Sequence, residues 1–372
     1  MKSKTCPACG AEMKRNGKTK AGAQRWRCKE CGGSAVHEND TASRELKRFV
    51  GWLLGKERQL DMPGQGRTFR RRAERFWKVW PIPEPVDEVH RVVYVDGIYL
   101  SREAVVLIAR SDEHVLSWHL ARSETSQAYK RLLGNIAPPE MVVTDGGPGF
   151  AKAVREVWPD TKVQRCLFHV FCQVRRYTTS RPKLLAGVEL YSLAKDLLRI
   201  GTLREAELWA ERLTEWCGFW SEFLEERTRT ERGVEYTHER LRKARRSIVS
   251  VASKGTLFAY LDPELAKEGP MPSTNNRIEG GTNAKIRDML RNHRGMSLAR
   301  RIKAAFWLCY MDTERPKPAA EILRSMPTDD DTDLLRGMYG VVPDDPLEPC
   351  EWGSGVVWEE LHRKTRYPFS VD

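Results

Sequence analysis

Two short apolar runs, each followed by an aspartate and a glycine, constrain the fold of this chain most strongly. Residues 92–95 precede Asp96, and residues 141–144 precede Asp145. Short β-branched runs bounded by glycine are typical of buried strands. A carboxylate at the end of such a strand cannot enter the core without a large desolvation penalty. We therefore expect Asp96 and Asp145 to share a solvent-accessible site at one edge of a sheet.

A third carboxylate, Glu279, lies in a polar segment that opens a basic helix. Two strand-end aspartates and a helix-borne glutamate are the ligand set expected for two Mg²⁺ ions, with Mn²⁺ as a substitute. Two such ions about 4 Å apart can stabilise both oxygens of an in-line phosphoryl displacement. A single aspartate before glycine is usually only a turn residue. The metal-site interpretation gains weight because the pattern occurs twice.

Four sequence blocks carry a family resemblance. They are Tyr-Val-Asp-Gly at Asp96, Val-Thr-Asp-Gly at Asp145, Cys-Leu-Phe-His at 166–169 and Thr-Asn-Asn-Arg-Ile-Glu ending at Glu279. In order and approximate spacing the chain resembles DDE transposases of the Mutator type, over roughly residues 90–310. The resemblance implies that Asp96, Asp145 and Glu279 are the catalytic triad. The glycine pair at 280–281 departs from the family pattern, in which better helix formers are expected.

The fold class expected is α/β, with a ribonuclease H-like catalytic core interrupted by a helical insertion. Three sequential strands followed by alternating helix and strand resemble that fold. We predict strands near 91–96, 103–109, 114–120, 141–145 and 162–166, and helices near 125–136 and 148–157.

Six segments follow from the composition and the motifs. The segments are a zinc ribbon (1–36), a helix-turn-helix DNA-binding region (40–80), the first part of the core (81–180), the helical insertion (181–270), the final core helices with the catalytic glutamate (271–315) and an acidic C-terminal tail (316–372).

In the insertion, Trp209, Trp216 and Trp220 share a helix face, and core packing is a more common role than base stacking for such residues.

The N-terminal cysteines predict a structural metal site. Two Cys-x-x-Cys pairs are separated by 18 residues, the spacing of a tetrahedral zinc ribbon. Two disulfides are the alternative, and a cytosolic compartment disfavours them. Because so small a segment cannot build a core alone, one Zn²⁺ should supply much of its folding energy. The predicted ligands are Cys6, Cys9, Cys28 and Cys31.

Two amphipathic segments follow, and they suggest a helix-turn-helix. The predicted apolar faces are formed by Leu46, Phe49, Val50, Leu53 and Leu54, and by Phe69, Ala73, Phe76, Trp77 and Trp80. Arginines on the second helix could contact phosphates or guanine edges in the major groove. A helical hairpin with a charged outer face is the alternative. These arginines are Arg70, Arg71, Arg72 and Arg75.

The charge distribution predicts a nucleic-acid partner. The chain carries 63 Lys and Arg against 51 Asp and Glu, a net charge of +12. Residues 1–80 hold 20 basic and 8 acidic residues, whereas 316–372 hold 6 and 12. Local concentration of positive charge favours phosphate contact over a uniformly basic surface. Further basic runs, which could be solvated faces instead, supply four candidate DNA contacts: Arg245, Arg246, Arg287 and Arg291.

Several other side chains are predicted to support the carboxylates. Cys166 and His169 form a Cys-x-x-His motif, for which structural support, metal contact and DNA contact all remain open. Asn275, Asn276 and Asn283 are spaced to share a helix face with Glu279, and capping is their alternative role. Arg277 belongs to the same block.

The function expected is that of a transposase. Such an enzyme binds the terminal inverted repeats of an insertion sequence in double-stranded DNA, cleaves them with Mg²⁺ and joins the 3′-hydroxyl to target DNA. Alternatives are a structure-selective nuclease and a non-catalytic, transposase-derived regulator. We expect a homodimer or higher oligomer on DNA. With no apolar run long enough to span a bilayer and no visible signal peptide, we expect a soluble, cytoplasmic, nucleoid-associated protein.

Overall fold

The computed structural model describes residues 4–331 except 7, 21, 37–40, 102 and 232. Most of the predicted acidic tail therefore lies outside the described residues. The described chain forms two compact units. The smaller one takes in most of the first 76 residues together with Lys317–Ser325, and the larger one holds nearly all of the remainder.

The smaller unit begins with a four-stranded antiparallel sheet. Its strands follow chain order, and Cys6, Met13 and Cys28 are buried against one another. Short strands with so few buried side chains cannot provide a hydrophobic core of ordinary size. The strands are β1 (Lys4–Thr5), β2 (Glu12–Lys18), β3 (Gln24–Cys28) and β4 (Ser34–Val36).

Two helices follow that sheet. They are α1 (Thr41–Leu54) and α2 (Arg67–Ala73), with 3₁₀ turns at Gln59–Asp61 and Glu74–Lys78. All residues of the predicted apolar faces are buried except Leu54, which is half-buried, and the rings of Phe49 and Phe76 lie 5.7 Å apart between centroids. The second α-helix is shorter than predicted, because the chain tightens into a 3₁₀ turn directly after Ala73.

A five-stranded mixed sheet forms the centre of the larger unit. Its order is β7-β6-β5-β8-β9, with antiparallel pairing from β5 to β7 and parallel pairing of β5 with β8 and β8 with β9. All seven residues of β6 are buried, as expected for a central apolar strand. The strands are β5 (Val92–Leu100), β6 (Ala104–Arg110), β7 (Val115–Ala121), β8 (Met141–Thr144) and β9 (Lys162–Arg165).

Two helices cover one face of this sheet. Side chains such as Val93 and Val95 meet Tyr129 and Phe150 in a single buried cluster. The predicted order of strands and helices is correct, although the first helix ends three residues earlier than expected. These helices are α3 (Ser126–Leu133) and α4 (Pro148–Val157).

The predicted helical insertion is helical but also contains a small antiparallel hairpin. Buried Trp209 and Trp216 donate their indole N–H groups to the carbonyls of Leu193 and Ala186, so these tryptophans pack in the core. The elements from the end of β9 onward are α5 (Leu167–Thr178), α6 (Leu185–Asp196), α7 (Leu203–Phe219), α8 (Ser221–Glu225), β10 (Arg227–Thr230), β11 (Gly233–Tyr236), α9 (Glu239–Ala252) and α10 (Pro263–Ala266).

Further helices follow the insertion, and the last of them belongs to the smaller unit. A π-helical turn at Arg277–Thr282 leads into α11 (Asn283–Asn292), then α12 (Leu298–Met311) and α13 (Ala319–Ser325). Most of α12 is buried, and its Lys303 Nζ lies 2.6 Å from Asp329. No helix within the described ranges combines the length and the apolar character needed to cross a bilayer.

Candidate active site

Parallel pairing places the two predicted aspartates on neighbouring strands. Val95 of β5 is in register with Thr144 of β8, so Asp96 and Asp145 follow at the next step. Adjacent strands are about 4.8 Å apart, which brings the two residues side by side. Asp145 leaves its strand as expected. Asp96 does not, because β5 runs on to Leu100 as a hairpin with β6.

Asp96 lies in a half-buried, strongly acidic environment. Burial, together with the charges of Asp145 and Glu279, raises its pKa to about 7. The Nδ2 of Asn283 donates to Asp96 Oδ2 at 2.8 Å. This bond fixes the orientation of the Asp96 carboxylate. Because the Asn283 amide is neutral, it does not offset the negative charge of that carboxylate.

Glu279 is held by the histidine of the Cys-x-x-His motif. His169 Nε2 lies 2.8 Å from Glu279 Oε1. The neighbouring Cys166 and Glu279 raise the pKa of His169 to about 10, which favours the positively charged imidazole. The pair is an ion pair that orients the glutamate.

The cysteine of the same motif links three parts of the site. Its Sγ accepts a hydrogen bond from the backbone N–H of Asn275 at 3.2 Å. The Asn275 Nδ2 donates in turn to the carbonyl of Val95, directly before Asp96, at 3.2 Å. The Asn275 side chain therefore joins the segment before Glu279 to the strand that carries Asp96, and Cys166 contacts the backbone of the same residue.

Close packing explains the glycine pair at 280–281. A Cβ at Gly280 would lie 2.7 Å from Asn276 Oδ1, and one at Gly281 would lie 2.9 Å from the guanidinium of Arg110. Buried Arg110 donates to the Arg277 carbonyl at 2.9 Å and to the Thr282 hydroxyl at 3.1 Å. The side chain of Arg277 pairs with Asp112. Arg277 therefore contributes to the site through its position in the π-helical turn.

Two charged residues at the site were not predicted from the sequence. Arg165 ends β9 and covers Gly146, where a Cβ would lie 1.6 Å from its Nη1. Burial lowers the pKa of Arg165, against the opposing effect of the Asp145 carboxylate. Glu124, before α3, has its pKa raised by burial and by the charge of Asp145. The only sequence signal for either residue is a charge beside a strand or helix end.

The donor set at the carboxylates fits a hard cation. Asn275 and Asn283 are fully buried, and their Oδ1 atoms have no hydrogen-bond partner among the described residues. An orphaned carbonyl oxygen beside several carboxylates is the kind of group that Mg²⁺ or its water ligands would satisfy. Within the described chain, however, the carboxylates of Asp96, Asp145 and Glu279 do not converge to within 4.8 Å of one another.

The N-terminal cysteines do converge. The Sγ atoms of Cys6, Cys9, Cys28 and Cys31 all lie within 4.8 Å of one another. The closest pairs are 3.5 Å apart, whereas a disulfide requires about 2.05 Å. Backbone amides of Ala8 and Cys9 hydrogen-bond to Cys6 and lower its pKa to about 6, which favours the thiolate that binds a metal. One ion could be bound by all four thiols.

The predicted DNA-contacting arginines fall into two groups. All of them are exposed except Arg245, which is half-buried. Arg72, Arg75, Arg245 and Arg291 lie near a carboxylate of their own unit. Glu45 pairs with Arg72 at 3.3 Å and with Arg75 at 2.9 Å. Glu225 lies 3.9 Å from Arg245, and Asp288 lies 3.3 Å from Arg291.

Part of the chain matches a known protein family. Residues 85–235 match the sequence model of the Mutator family of transposases. The resemblance to Mutator-type transposases is confirmed. Asp96, Asp145 and the Cys-x-x-His motif lie inside the matched segment, and Glu279 lies outside it.

A curated relative agrees with that family. The transposase for insertion sequence element IS6120 of Mycolicibacterium smegmatis is 30% identical over 122 residues. The match takes in 28% of this chain and 38% of the relative's length. The likeness to this transposase thus concerns a part of each chain.

Proposed function

We propose that this protein is a DNA transposase with a ribonuclease H-like catalytic core. The observation that carries the proposal is the position of Asp96 on β5 and of Asp145 directly after the neighbouring parallel strand β8, in a segment that matches the Mutator family. The sheet order β7-β6-β5-β8-β9 supports the core assignment. Its substrate is double-stranded DNA carrying the terminal inverted repeats of an insertion sequence.

Asp96, Asp145 and Glu279 would hold two Mg²⁺ ions, or Mn²⁺ in their place. When bound, these ions supply Lewis-acid activation of water and stabilisation of the leaving oxygen. The protein supplies orientation: Asn283 fixes the Asp96 carboxylate, and His169 fixes Glu279. Because several carboxylates repel one another at this site, the apoprotein is strained electrostatically and favours cation binding.

The proposed reaction has two steps, and the second leaves the number of phosphodiester bonds unchanged. In the first step, a water oxygen bonds to phosphorus and the bond to the 3′ oxygen breaks, which leaves a 3′-hydroxyl and a 5′-phosphate. In the second, that hydroxyl attacks a phosphodiester of the target, and one P–O bond forms as another breaks. Neither step needs a covalent protein intermediate or an external energy source.

The smaller unit would recognise the DNA ends. Its cysteine cluster would bind one structural Zn²⁺, because the four thiols already converge and a zinc ribbon needs metal to fold. Helix α2 would serve as the recognition helix of a helix-turn-helix. Its exposed Arg70 and Arg71 lie outside the ion pairs that Glu45 makes with Arg72 and Arg75.

Strand transfer by purified variants tests the proposal. Asp96→Asn, Asp145→Asn and Glu279→Gln should each reduce Mg²⁺-dependent joining by about a thousandfold or more, as expected when a metal ligand is lost. End binding should change little, since affinity comes mainly from basic surfaces. Exposed Asp160→Asn is the matched control.

Products distinguish the alternatives. Joined DNA strands that depend on all three carboxylates support a transposase. Metal-dependent cleavage without joining, on branched DNA in preference to repeat ends, would indicate a structure-selective nuclease. Specific binding with no cleavage in either metal would indicate a non-catalytic regulator.

A further inference from the structure

A fourth carboxylate approaches the paired aspartates across two glycines. A Cβ at Gly97, the residue after Asp96, would lie 2.4 Å from Glu124 Oε1. A Cβ at Gly147, two residues after Asp145, would lie 3.9 Å from Glu124 Oε2. The Glu124 carboxylate therefore occupies space that the absent side chain at Gly97 leaves open, where it interacts with the charge of Asp145.

The backbone of Glu124 is held as closely as its side chain. A Cβ at Gly149, in the first turn of α4, would lie 2.3 Å from the Glu124 carbonyl oxygen. On the other side, the Thr125 hydroxyl caps α3 by accepting from the Ala128 N–H at 3.2 Å. Two packed helices thus fix where this carboxylate lies.

We propose that Glu124 is a fourth carboxylate of the metal centre, contributing an oxygen ligand to a divalent cation held by Asp96 and Asp145. This inference rests on the proposed function. An independent feature of the same site points to a ligand: Asn283 is fully buried and donates to Asp96 with one atom of its amide. Its other amide atom, Oδ1, has no partner among the described residues.

Helix capping is the competing role for Glu124, because a carboxylate near a helix N-terminus is stabilised by the helix dipole. That role does not account for Gly97. A capping glutamate needs the amides of α3, whereas this one also approaches the residue that follows Asp96. A capping role predicts lower thermal stability on substitution and unchanged affinity for cations.

Titration of the full-length, zinc-supplemented protein with Mn²⁺, followed by electron paramagnetic resonance, tests the inference. Glu124→Gln should weaken Mn²⁺ binding about tenfold or more, the scale of effect that ligand-shell substitutions produce. Glu140→Gln, an exposed glutamate directly before β8, is the matched control and should bind as the wild type does. Glu124→Asp, which keeps the charge on a shorter arm, should weaken binding less.

The possible outcomes separate this inference from the proposed function. If Glu124→Gln binds Mn²⁺ like the wild type while Asp96→Asn does not, the role of Glu124 is overturned and the proposed function stands. If the wild type itself binds no Mn²⁺ at the carboxylates, with or without end DNA, the proposed function fails. Should Glu124→Gln not fold, Glu124→Ala takes its place, because the shorter alanine side chain makes no close contact with Gly97.

Discussion

At the scale of single residues, Asp96 is the side chain whose charge is hardest to accommodate. Its pKa is raised from 3.8 to about 7 by burial and by two other carboxylates. The folded state therefore binds this proton more tightly than the unfolded state. Stability that is present below the unfolded pKa is lost as the pH rises through the folded pKa. The metal-free protein should be least stable above neutral pH.

Asp96→Asn should remove that loss. The amide stays neutral, so without added divalent cations the variant should melt at a higher temperature than the wild type at about pH 8 and at nearly the same temperature at about pH 4. Differential scanning calorimetry of the larger unit measures this, with Asp160→Asn as the control. An equal shift at both pH values would show that packing, and not charge, is responsible.

His169 should act as a positioning residue for Glu279. Replacing the charged imidazole in His169→Gln removes the ion pair while keeping a polar side chain. We expect strand transfer to fall about 10- to 100-fold, as for partners that orient metal ligands. End-DNA affinity should remain unchanged. The decisive readout is the Mn²⁺ requirement, which should rise in His169→Gln and not in His114→Gln, a variant at the turn between β6 and β7.

At the scale of helices and strands, apolar patterning gave the correct order of elements in the larger unit. Continuous β-branched runs, such as the one in β8, identify buried strands from sequence alone. The β10–β11 hairpin escaped prediction because seven of its eight strand residues are exposed, so no buried face marks them. Such a segment has no periodic pattern of buried residues that could mark it as a strand.

The site shows the same limit. The three candidate carboxylates could be proposed from the sequence because each lies in a distinctive motif. Glu124 and Arg165 could not, since they pack against the glycines beside the aspartates through contacts between residues far apart in sequence. The π-helical turn around Glu279 depends on Arg110, a residue of β6 more than 160 positions earlier. Contacts of this kind are set by tertiary packing and leave no local signature.

The four-cysteine cluster allows a prediction about the N-terminal sheet. Cys28→Ser should abolish binding of one Zn²⁺, because Cys28 is a buried member of the four-thiol cluster. Without metal, strands β1–β4 should unfold, since their core is too small to persist alone. Elemental analysis and amide hydrogen exchange follow both effects. Cys172→Ser, at a cysteine outside the cluster, should change neither.

At the scale of the whole molecule, charge and chemistry belong to different parts of the chain. The first 80 residues carry 20 basic and 8 acidic residues, whereas the candidate active site lies in the larger unit. Compact units with their own buried residues can act separately in binding and in catalysis. Recognition of the DNA ends and breakage of the DNA should therefore be separable by truncation.

Deleting residues 1–80 should abolish discrimination between end DNA and random DNA. Some salt-sensitive, non-specific binding should survive through exposed arginines of the larger unit, such as Arg246 and Arg287. Competition binding at fixed ionic strength, comparing full-length and truncated protein, measures the loss.

The full-length protein allows a finer test, because Glu45 pairs with two of the four arginines near α2. Substituting Arg70 and Arg71 together by alanine should reduce end-specific affinity more than substituting Arg72 and Arg75, whose charge Glu45 already offsets in part. Each lost base contact should weaken specific binding by about 1–3 kcal/mol. If the truncated protein still prefers end DNA as strongly as the intact one, recognition lies in the helical insertion or in α11, and the smaller unit does not determine specificity.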